Sequence, residues 1–183
     1  MPTATDKASL RRRFLAARNA MDPKTRASAS AAISAHLANF LASRRPACVA
    51  IYAPHRGEPD VTSLAVDWPA ALPVIEGPGI MRFFAWRPGR ALAPNRHGIM
   101  EPVERDLVTL DARAVVVVPS VGLDRRGWRL GYGGGFYDRL LKDAHAFSIG
   151  VAFDSCVVNE LPLEEHDQPL AAIVTEQGLQ LSR

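Results

Sequence analysis

The chain has 183 residues, of which 48% are hydrophobic and 22% are charged, and its formal net charge is +3. This length and composition predict a single globular domain over residues 1–183 and argue against an intrinsically disordered chain. The positive balance is mild and the arginines are scattered, so the charge suits an anionic small molecule as well as a nucleic acid.

The sequence contains no apolar run of the kind that forms a signal peptide or a membrane span. Cys48 and Cys156 both stand in apolar stretches, and no spacing of cysteine and histidine resembles a zinc site. We therefore expect a cytoplasmic protein in which both cysteines are buried as small hydrophobic residues. We also expect a monomer without a membrane or nucleic-acid partner.

Two helices are predicted at the start of the chain. Asp6 is a candidate N-cap, and the apolar residues that follow it at helical spacing predict a helix over residues 6–20. Asp22-Pro23 has the form of a cap followed by proline at the first helical position. This second helix should end near Arg45-Pro46, because the residue before a proline avoids the helical conformation.

Short apolar runs further along the chain predict a sheet. The run at 114–119 is apolar on both faces, as expected for a central strand. Because strands alternate with helices, we expect the α/β class, as a three-layer α/β/α sandwich with a mostly parallel, Rossmann-like sheet. The predicted strands are 47–53, 72–75, 81–86, 114–119, 147–153 and 171–175.

Three polar loops should meet at one edge of this sheet, because ligands in open α/β sheets bind at the carboxyl ends of the strands. The loop after the first strand carries Glu58 and Asp60, and Asp60 is also a candidate cap for a short helix that runs to Val66. The loop after the central strand carries a glycine cluster, and the loop after the fifth strand leads to His166-Asp167. The sequence therefore predicts one site built from all three loops.

The most informative segment is Arg129-Leu-Gly-Tyr-Gly-Gly-Gly-Phe-Tyr-Asp138. Glycine lets backbone N–H groups approach a ligand closely, and a helix that starts at Phe136 would add free N–H groups and a partial positive charge. Together these features predict an anion site, most often one for phosphate. Asp138 would lie in the first helical turn, within reach of a metal bound to that phosphate. The alternative is a structural turn in which the glycines only relieve crowding.

The glycine segment does not fit two common nucleotide motifs. No Gly-Lys-Ser/Thr follows the glycines, which excludes a Walker A loop. Phe136 stands where a dinucleotide fingerprint requires its third glycine. The segment needs another assignment.

The segment from Asp124 to Arg139 resembles the signature of the 5-formyltetrahydrofolate cyclo-ligases, also called 5,10-methenyltetrahydrofolate synthetases. The resemblance covers nearly the whole chain, in order. Further similar segments are Lys7–Arg11, Tyr52–Asp60, Gly98–Pro102, Leu161-Pro162, His166-Asp167 and Ile173–Thr175.

The resemblance implies an enzyme that uses ATP and Mg²⁺ to convert 5-formyltetrahydrofolate into 5,10-methenyltetrahydrofolate, with release of ADP and phosphate. The positions that match the family's ATP-binding residues are Lys7, Arg11, Arg129, Leu130, Gly131, Tyr132, Gly133, Gly134, Gly135, Phe136 and Tyr137. The folate substrate would contact Ala53, Glu58 and Tyr137. Mg²⁺ would be held by Asp138 and Asp167, and the catalytic residues would be Lys7, Arg129 and Asp138.

The chain departs from the family pattern at three positions. Leu123 stands where the family often has phenylalanine, which keeps the apolar character. Ala171 replaces a frequent second aspartate, so extra carboxylate support near the metal is not expected. Some members carry lysine at the position of Gly134, so Arg129 would carry more of the phosphate charge here.

Plainer interpretations remain open for single residues and for the whole chain. Trp86 and Trp128 are expected in a packed core or at the surface rather than against a ligand, and His97 and His166 are expected to be hydrogen-bonded structural residues. One alternative function is a phosphate-binding sugar-phosphate isomerase or CoA-transferase-like enzyme. Such an enzyme would need a glutamate or lysine that acts as a base beside the glycines, and no pair of metal ligands. Another is a non-enzymatic nucleotide- or RNA-binding module with salt-dependent binding.

Overall fold

The computed structural model describes residues 6–182, and its regular elements surround one large sheet. The helices are α1 (Lys7–Ala20), α2 (Pro23–Arg44) and α3 (Phe136–Asp143), with short 3-10 helices at Thr62–Val66 and Asp154–Cys156. The strands are β1 (Cys48–Ala50), β2 (Ala70–Gly77), β3 (Ile80–Trp86), β4 (Leu92–Pro94), β5 (Met100–Pro102), β6 (Leu107–Val108), β7 (Ala114–Pro119), β8 (Gly122–Asp124), β9 (Arg129–Leu130), β10 (Phe147–Val151), β11 (Val157–Val158), β12 (Ala172–Thr175) and β13 (Gly178–Leu181).

Capping residues set the start of the first two helices at the predicted positions. The Asp6 carboxylate accepts the backbone N–H of Ser9 at 2.7 Å, and the Asp22 carboxylate accepts that of Thr25 at 3.0 Å. Each bond satisfies an N–H group that has no partner within its own helix. Helix α2 ends as predicted, with Arg45 in the left-handed conformation at its C-cap. Both predicted helices are confirmed.

The central sheet has eight strands in the order β13-β12-β10-β7-β1-β2-β3-β6. The five strands from β12 to β2 run parallel, whereas β13, β3 and β6 pair antiparallel at the two edges. Strand β7, predicted to be central, lies between β10 and β1. The predicted α/β class with a mostly parallel sheet is confirmed.

Two predicted strands are too long. Strand β1 covers Cys48–Ala50 and not 47–53, and β10 ends at Val151 and not at residue 153. The excess residues are nevertheless buried: Ile51, Tyr52 and Ala53 after β1, and Ala152 and Phe153 after β10. These residues are therefore apolar because they are buried beside the site, and not because they pair in the sheet.

Alternate side chains of β7 face two different layers of helices. Val117 packs in the cluster that contains Leu37 of α2, whereas Val116 packs in the cluster that contains Phe14 of α1. Leu140 of α3 packs against the second cluster. Helix α2 therefore covers one face of the sheet, and α1 and α3 cover the other, as in the predicted three-layer sandwich.

Helix α1 is held by a close approach between Phe14 and Gly122 of β8. Phe14 is only 1% exposed, and a Cβ added to Gly122 would lie 2.3 Å from the Phe14 ring. This packing directs the first turns of α1, with Lys7 and Arg11, toward the loops that follow the parallel strands.

Both cysteines are free thiols, and their environments differ. Cys156 is buried as predicted, whereas Cys48 is only partly buried. Burial raises the pKa of the Cys48 thiol to about 11 and also raises that of Cys156, so both stay protonated near neutral pH. Among residues 6–182, no helix has both the length and the apolar character needed to cross a bilayer.

Candidate active site

A cleft of about 490 Å³ opens where the loops after β1, β7 and β10 converge. Its walls also include the first turns of α1 and the ribbon formed by β4 and β5. Every residue assigned to ATP, folate or metal from the sequence borders this cleft: Lys7, Arg11, Ala53, Glu58, Arg129, Leu130, Gly131, Tyr132, Gly133, Gly134, Gly135, Phe136, Tyr137, Asp138 and Asp167. Asp60 does not border it. Its carboxylate accepts the N–H of Thr62 at 2.9 Å, beside the short helix that it was expected to cap.

The glycine segment forms a curved loop between β9 and α3. Gly133 and Gly135 have φ values of +97° and +63°, which are unfavourable for residues with a Cβ. The Arg11 side chain donates to the carbonyl of Gly131 at 2.7 Å and ties the loop to α1. Helix α3 starts at Phe136, and no side chain in the described part of the chain caps its first N–H groups. Those groups are therefore available to an anion.

Lys7 is paired with two carboxylates that also border the cleft. Its ammonium lies 2.7 Å from Asp167 Oδ2 and 3.2 Å from Glu164 Oε2. Burial alone would raise the pKa of Asp167, but the hydrogen bond from Lys7 and the backbone N–H of Glu164 outweigh it and lower that pKa. Asp167 is therefore ionised at neutral pH.

A second ion pair joins Arg129 and Asp138. Arg129 donates through one nitrogen to the Asp138 carboxylate and through another, at 2.6 Å, to the carbonyl of Gln168. Burial lowers the pKa of Arg129, and the negative charge of Asp138 partly opposes that shift. The two predicted metal ligands, Asp138 and Asp167, are thus each neutralised by a cation predicted to contact ATP.

The donor atoms of this region suit a hard divalent cation. Asp138 and Asp167 both offer carboxylate oxygens to the cleft, and Mg²⁺ prefers oxygen ligands. A cluster of three candidate ligands within residues 6–182 is a different set, Glu164, His166 and Asp167, whose ligand atoms all lie within 4.8 Å of one another. Asp167 belongs to both sets, and metal binding by Asp138 and by Asp167 stays a prediction.

Glu58 is a buried carboxylate that closes a tight turn. It is 6% exposed, its Oε2 accepts the backbone N–H of His55 at 3.0 Å, and its own N–H donates to the carbonyl of His55 at 3.1 Å. Burial raises the pKa of Glu58 to about 7, against the opposing effects of the His55 N–H and the positive charge of Arg18. This carboxylate therefore changes its charge close to neutral pH.

Tyr137 borders the cleft and carries an unusual hydroxyl group. Its oxygen is buried and has no hydrogen-bond partner within residues 6–182. Burial raises the pKa of this phenol, so the hydroxyl keeps its proton. Buried polar atoms nearly always have a partner in the functional molecule, so this hydroxyl is a candidate contact for a ligand.

The chain matches the model of the 5-formyltetrahydrofolate cyclo-ligase family over residues 3–176. It belongs to that family. The 5-formyltetrahydrofolate cyclo-ligase of Escherichia coli K12 is 38% identical over 139 residues, covering 69% of this chain and 76% of the relative. That of Mycolicibacterium smegmatis is 32% identical over 183 aligned residues, covering 92% of this chain and 93% of the relative.

Solved structures extend the likeness to the fold. The NMR structure of Aquifex aeolicus 5,10-methenyltetrahydrofolate synthetase superposes with a TM-score of 0.85 at 32% identity, covering 97% of this chain and 93% of the other. The family and the names of these relatives support a ligase activity on folate. They favour the cyclo-ligase over the isomerase and RNA-binding alternatives.

The cyclo-ligase cleft also has an apolar wall that the sequence did not predict. Pro73 and Ile75 of β2, Met81 of β3 and Ile99 border the same cleft as the ion pairs. Buried Glu101 fixes this wall, because its Oε1 accepts the N–H of Ile75 at 2.9 Å. Trp86 and Trp128 pack against the two core clusters and do not border the cleft, as expected, whereas His97 and His166 do border it.

Arg18 was also not predicted from the sequence, although it is a buried residue that contacts the wall of the cleft from the side of the core. It is 2% exposed, and its guanidinium donates to the hydroxyl of Tyr132, which borders the cleft. The sequence contained one signal: Arg18 follows Leu10 and Phe14 at intervals of four residues on the buried face of α1. A charge on that face requires a partner, and the sequence could not identify a residue 114 positions away.

Proposed function

We propose that this protein is an ATP- and Mg²⁺-dependent ligase that converts 5-formyltetrahydrofolate into 5,10-methenyltetrahydrofolate, releasing ADP and phosphate. One observation carries the proposal. The glycine loop, Lys7, Arg11 and Arg129, together called the phosphate end, line the same cleft as the apolar wall and the buried carboxylate of Glu58. A polyanion and a flat heterocycle can therefore bind side by side.

The reaction needs the formyl oxygen to become a leaving group. In the first step that oxygen forms a bond to the γ-phosphorus of ATP while the bond from that phosphorus to the β–γ bridging oxygen breaks. The product is an imidate phosphate together with ADP. In the second step N10 of the folate forms a bond to the activated carbon, the bond from carbon to the phosphate oxygen breaks, and N10 loses its proton. Inorganic phosphate leaves with the former formyl oxygen.

The phosphate end of the cleft has the groups that phosphoryl transfer demands, which are mainly those that position and neutralise charge. Backbone N–H groups of the loop and of the first turn of α3 would bind phosphate oxygens. Lys7 and Arg129 would transfer their hydrogen bonds from Asp167 and Asp138 to the triphosphate. The two freed carboxylates would then hold Mg²⁺, which supplies further neutralisation of the phosphate charge when bound.

The apolar wall and Glu58 suit the folate. Ile75, Met81 and Ile99 offer apolar surface to a flat ring, and burial of that surface excludes water that would hydrolyse the activated intermediate. Glu58 would accept hydrogen bonds from ring N–H groups, and the Tyr137 hydroxyl would gain the partner that it lacks.

An absorbance assay with an isotope label tests the proposal. Purified protein is incubated with Mg²⁺, ATP and 5-formyltetrahydrofolate that carries ¹⁸O in its formyl group. Methenyl absorbance should rise only with ATP, ADP should form in equal amount, and the label should appear in inorganic phosphate. Product formation without nucleotide, or unlabelled phosphate, would contradict the phosphoryl route.

Three further features stay predictions of the sequence. These are the single-domain organisation, the monomeric state and the cytoplasmic location.

A further inference from the structure

Arg139 of α3 is exposed to solvent, yet its side chain joins two distant turns. One guanidinium nitrogen donates to the carbonyl of Gly134 in the glycine loop at 2.6 Å. Another donates to the carbonyl of Gly79 at 3.1 Å, across 60 positions of the chain. Gly79 lies in the turn between β2 and β3, so one side chain bridges the loop and that turn.

Both turns make room for this guanidinium. Gly79 has a φ of +73° and Gly135 a φ of +63°. A Cβ at Gly79 would lie 3.0 Å from Arg139 Nε, and one at Gly135 would lie 2.9 Å from another nitrogen of the same group. The guanidinium also stands over the Phe136 ring, 5.4 Å from its centroid. The geometry therefore depends on glycine at two separate positions.

The elements that Arg139 joins have few other anchors at this point. No residue of α3 is fully buried, so the helix and the loop before it rest on half-buried contacts. The strands on either side of Gly79 carry Ile75 and Met81, which belong to the apolar wall of the cleft. A bridge between these elements links the glycine loop to the strands that carry the apolar wall.

We propose that Arg139 is a positioning residue that holds the glycine loop against the β2–β3 turn and so fixes the distance between the phosphate end and the apolar wall. Arg139 does not border the cleft, so it acts through the loop and not on the substrates. The identity of the two substrates rests on the proposed function, whereas the bridge itself does not.

Arginine suits this task and lysine does not. A guanidinium presents several N–H donors in a rigid plane, so it can reach two carbonyls in different directions. An ammonium at the same position would keep the charge but would not hold both carbonyls in a fixed geometry. Arg139→Lys therefore separates the bridge from the charge, and Arg139→Met removes both.

Amide hydrogen exchange of the ligand-free protein tests the bridge directly. In Arg139→Met and Arg139→Lys, we expect exchange about tenfold faster at residues 133–137 and at residues 77–81, because both segments lose a charge-assisted hydrogen bond. Strand β7 should exchange as in the wild type, which separates local release from global unfolding. The matched control is Lys142→Met, which removes a positive charge from an exposed residue of the same helix. Unchanged exchange in both segments, or equal acceleration in the control, would overturn the proposal.

Steady-state kinetics provide a second test, because substitution of a purely structural residue would not change the KM values for ATP and folate. Both Arg139 variants should raise the KM for ATP and for the folate about fivefold to tenfold with little change in kcat, because the missing bridge weakens ground-state binding at both ends. Millimolar guanidinium should partly restore both KM values in Arg139→Ala. Unchanged KM values would contradict the positioning role. Absence of product from the wild type would refute the proposed function instead, and the exchange result would still decide the bridge.

Discussion

The ammonium group of Lys7 lies 2.7 Å from the carboxylate of Asp167, although 160 positions separate the two residues. The contact joins the first turn of α1 to the segment before β12, at the phosphate end of the cleft. A second cation and carboxylate, Arg129 and Asp138, are paired in the same region. The cations and the metal ligands of the proposed site thus neutralise one another in this structure.

Lys7→Met should impair use of ATP far more than folding. The ion pair is partly exposed and the Glu164 N–H still donates to Asp167, so we expect a loss of only about 1 kcal/mol in the free energy of unfolding. The loss in kcat/KM for ATP should be about 100-fold, because a transferring phosphoryl group loses a neutralising cation. Urea unfolding and steady-state kinetics measure the two effects. Lys24→Met, at the exposed start of α2, is the control, and a similar loss in that variant would contradict the assignment.

Asp138→Asn should also separate activity from stability. Asparagine keeps an oxygen that can accept from Arg129, so the unfolding free energy should fall by about 1–2 kcal/mol through loss of the ion pair. Turnover should fall by about 100-fold or more, since a neutral amide is a poor ligand for Mg²⁺. The Mg²⁺ concentration needed for half-maximal activity should rise. If that concentration stays unchanged, Asp138 is not a metal ligand.

A pair of glycine substitutions distinguishes a phosphate-binding loop from a structural turn. A Cβ on Gly131 would meet no atom within 4 Å, so Gly131→Ala should keep or slightly raise the melting temperature. It should still raise the KM for ATP about tenfold, because a methyl group would obstruct the approach of phosphate to the backbone. Gly135→Ala should lower stability by about 1 kcal/mol or more through its positive φ. Full activity in Gly131→Ala would favour the structural turn.

The charge state of Glu58 should make stability depend on pH. Its pKa is about 7 in the folded protein, above the ordinary value of 4.5 that applies to the unfolded chain. Between these values the folded state binds the extra proton, so the stabilisation that protonation provides is complete below pH 4.5 and is lost as pH rises through 7. Glu58→Gln removes this dependence while keeping an acceptor for His55.

The measurement is the difference in unfolding free energy between Glu58→Gln and the wild type at pH 5 and pH 8. Relative to the wild type, the unfolding free energy of the variant should increase by about 2.5 kcal/mol as pH rises across this interval. A constant difference would show that burial does not shift the pKa of Glu58.

Local sequence signals predicted the parts of the site that local geometry determines. The caps Asp6 and Asp22 each bond to a residue three positions later, and the glycine loop contains its own turn residues. Arg18 and Arg139 could not be assigned because their partners lie 114 and 60 positions away. The apolar wall was missed for the same reason, since the sheet brings β2, β3 and the β4–β5 ribbon together.

Errors in the fold follow from the same limit. Residues 51–53 have strand-like composition because they are buried, and burial and pairing leave the same signal in a sequence. The two-residue strands β6, β9 and β11 are too short for any alternation of apolar and polar residues to be visible. Their pairing is set by neighbours distant in sequence, such as Leu123 for Val157.

A crystal structure with Mg²⁺ and a non-hydrolysable ATP analogue tests the central claim most directly. We predict that the triphosphate binds against the backbone of residues 131–135, with Lys7 and Arg129 bonded to phosphate oxygens in place of Asp167 and Asp138. A triphosphate bound elsewhere, with both ion pairs intact, would contradict the proposed function of this loop.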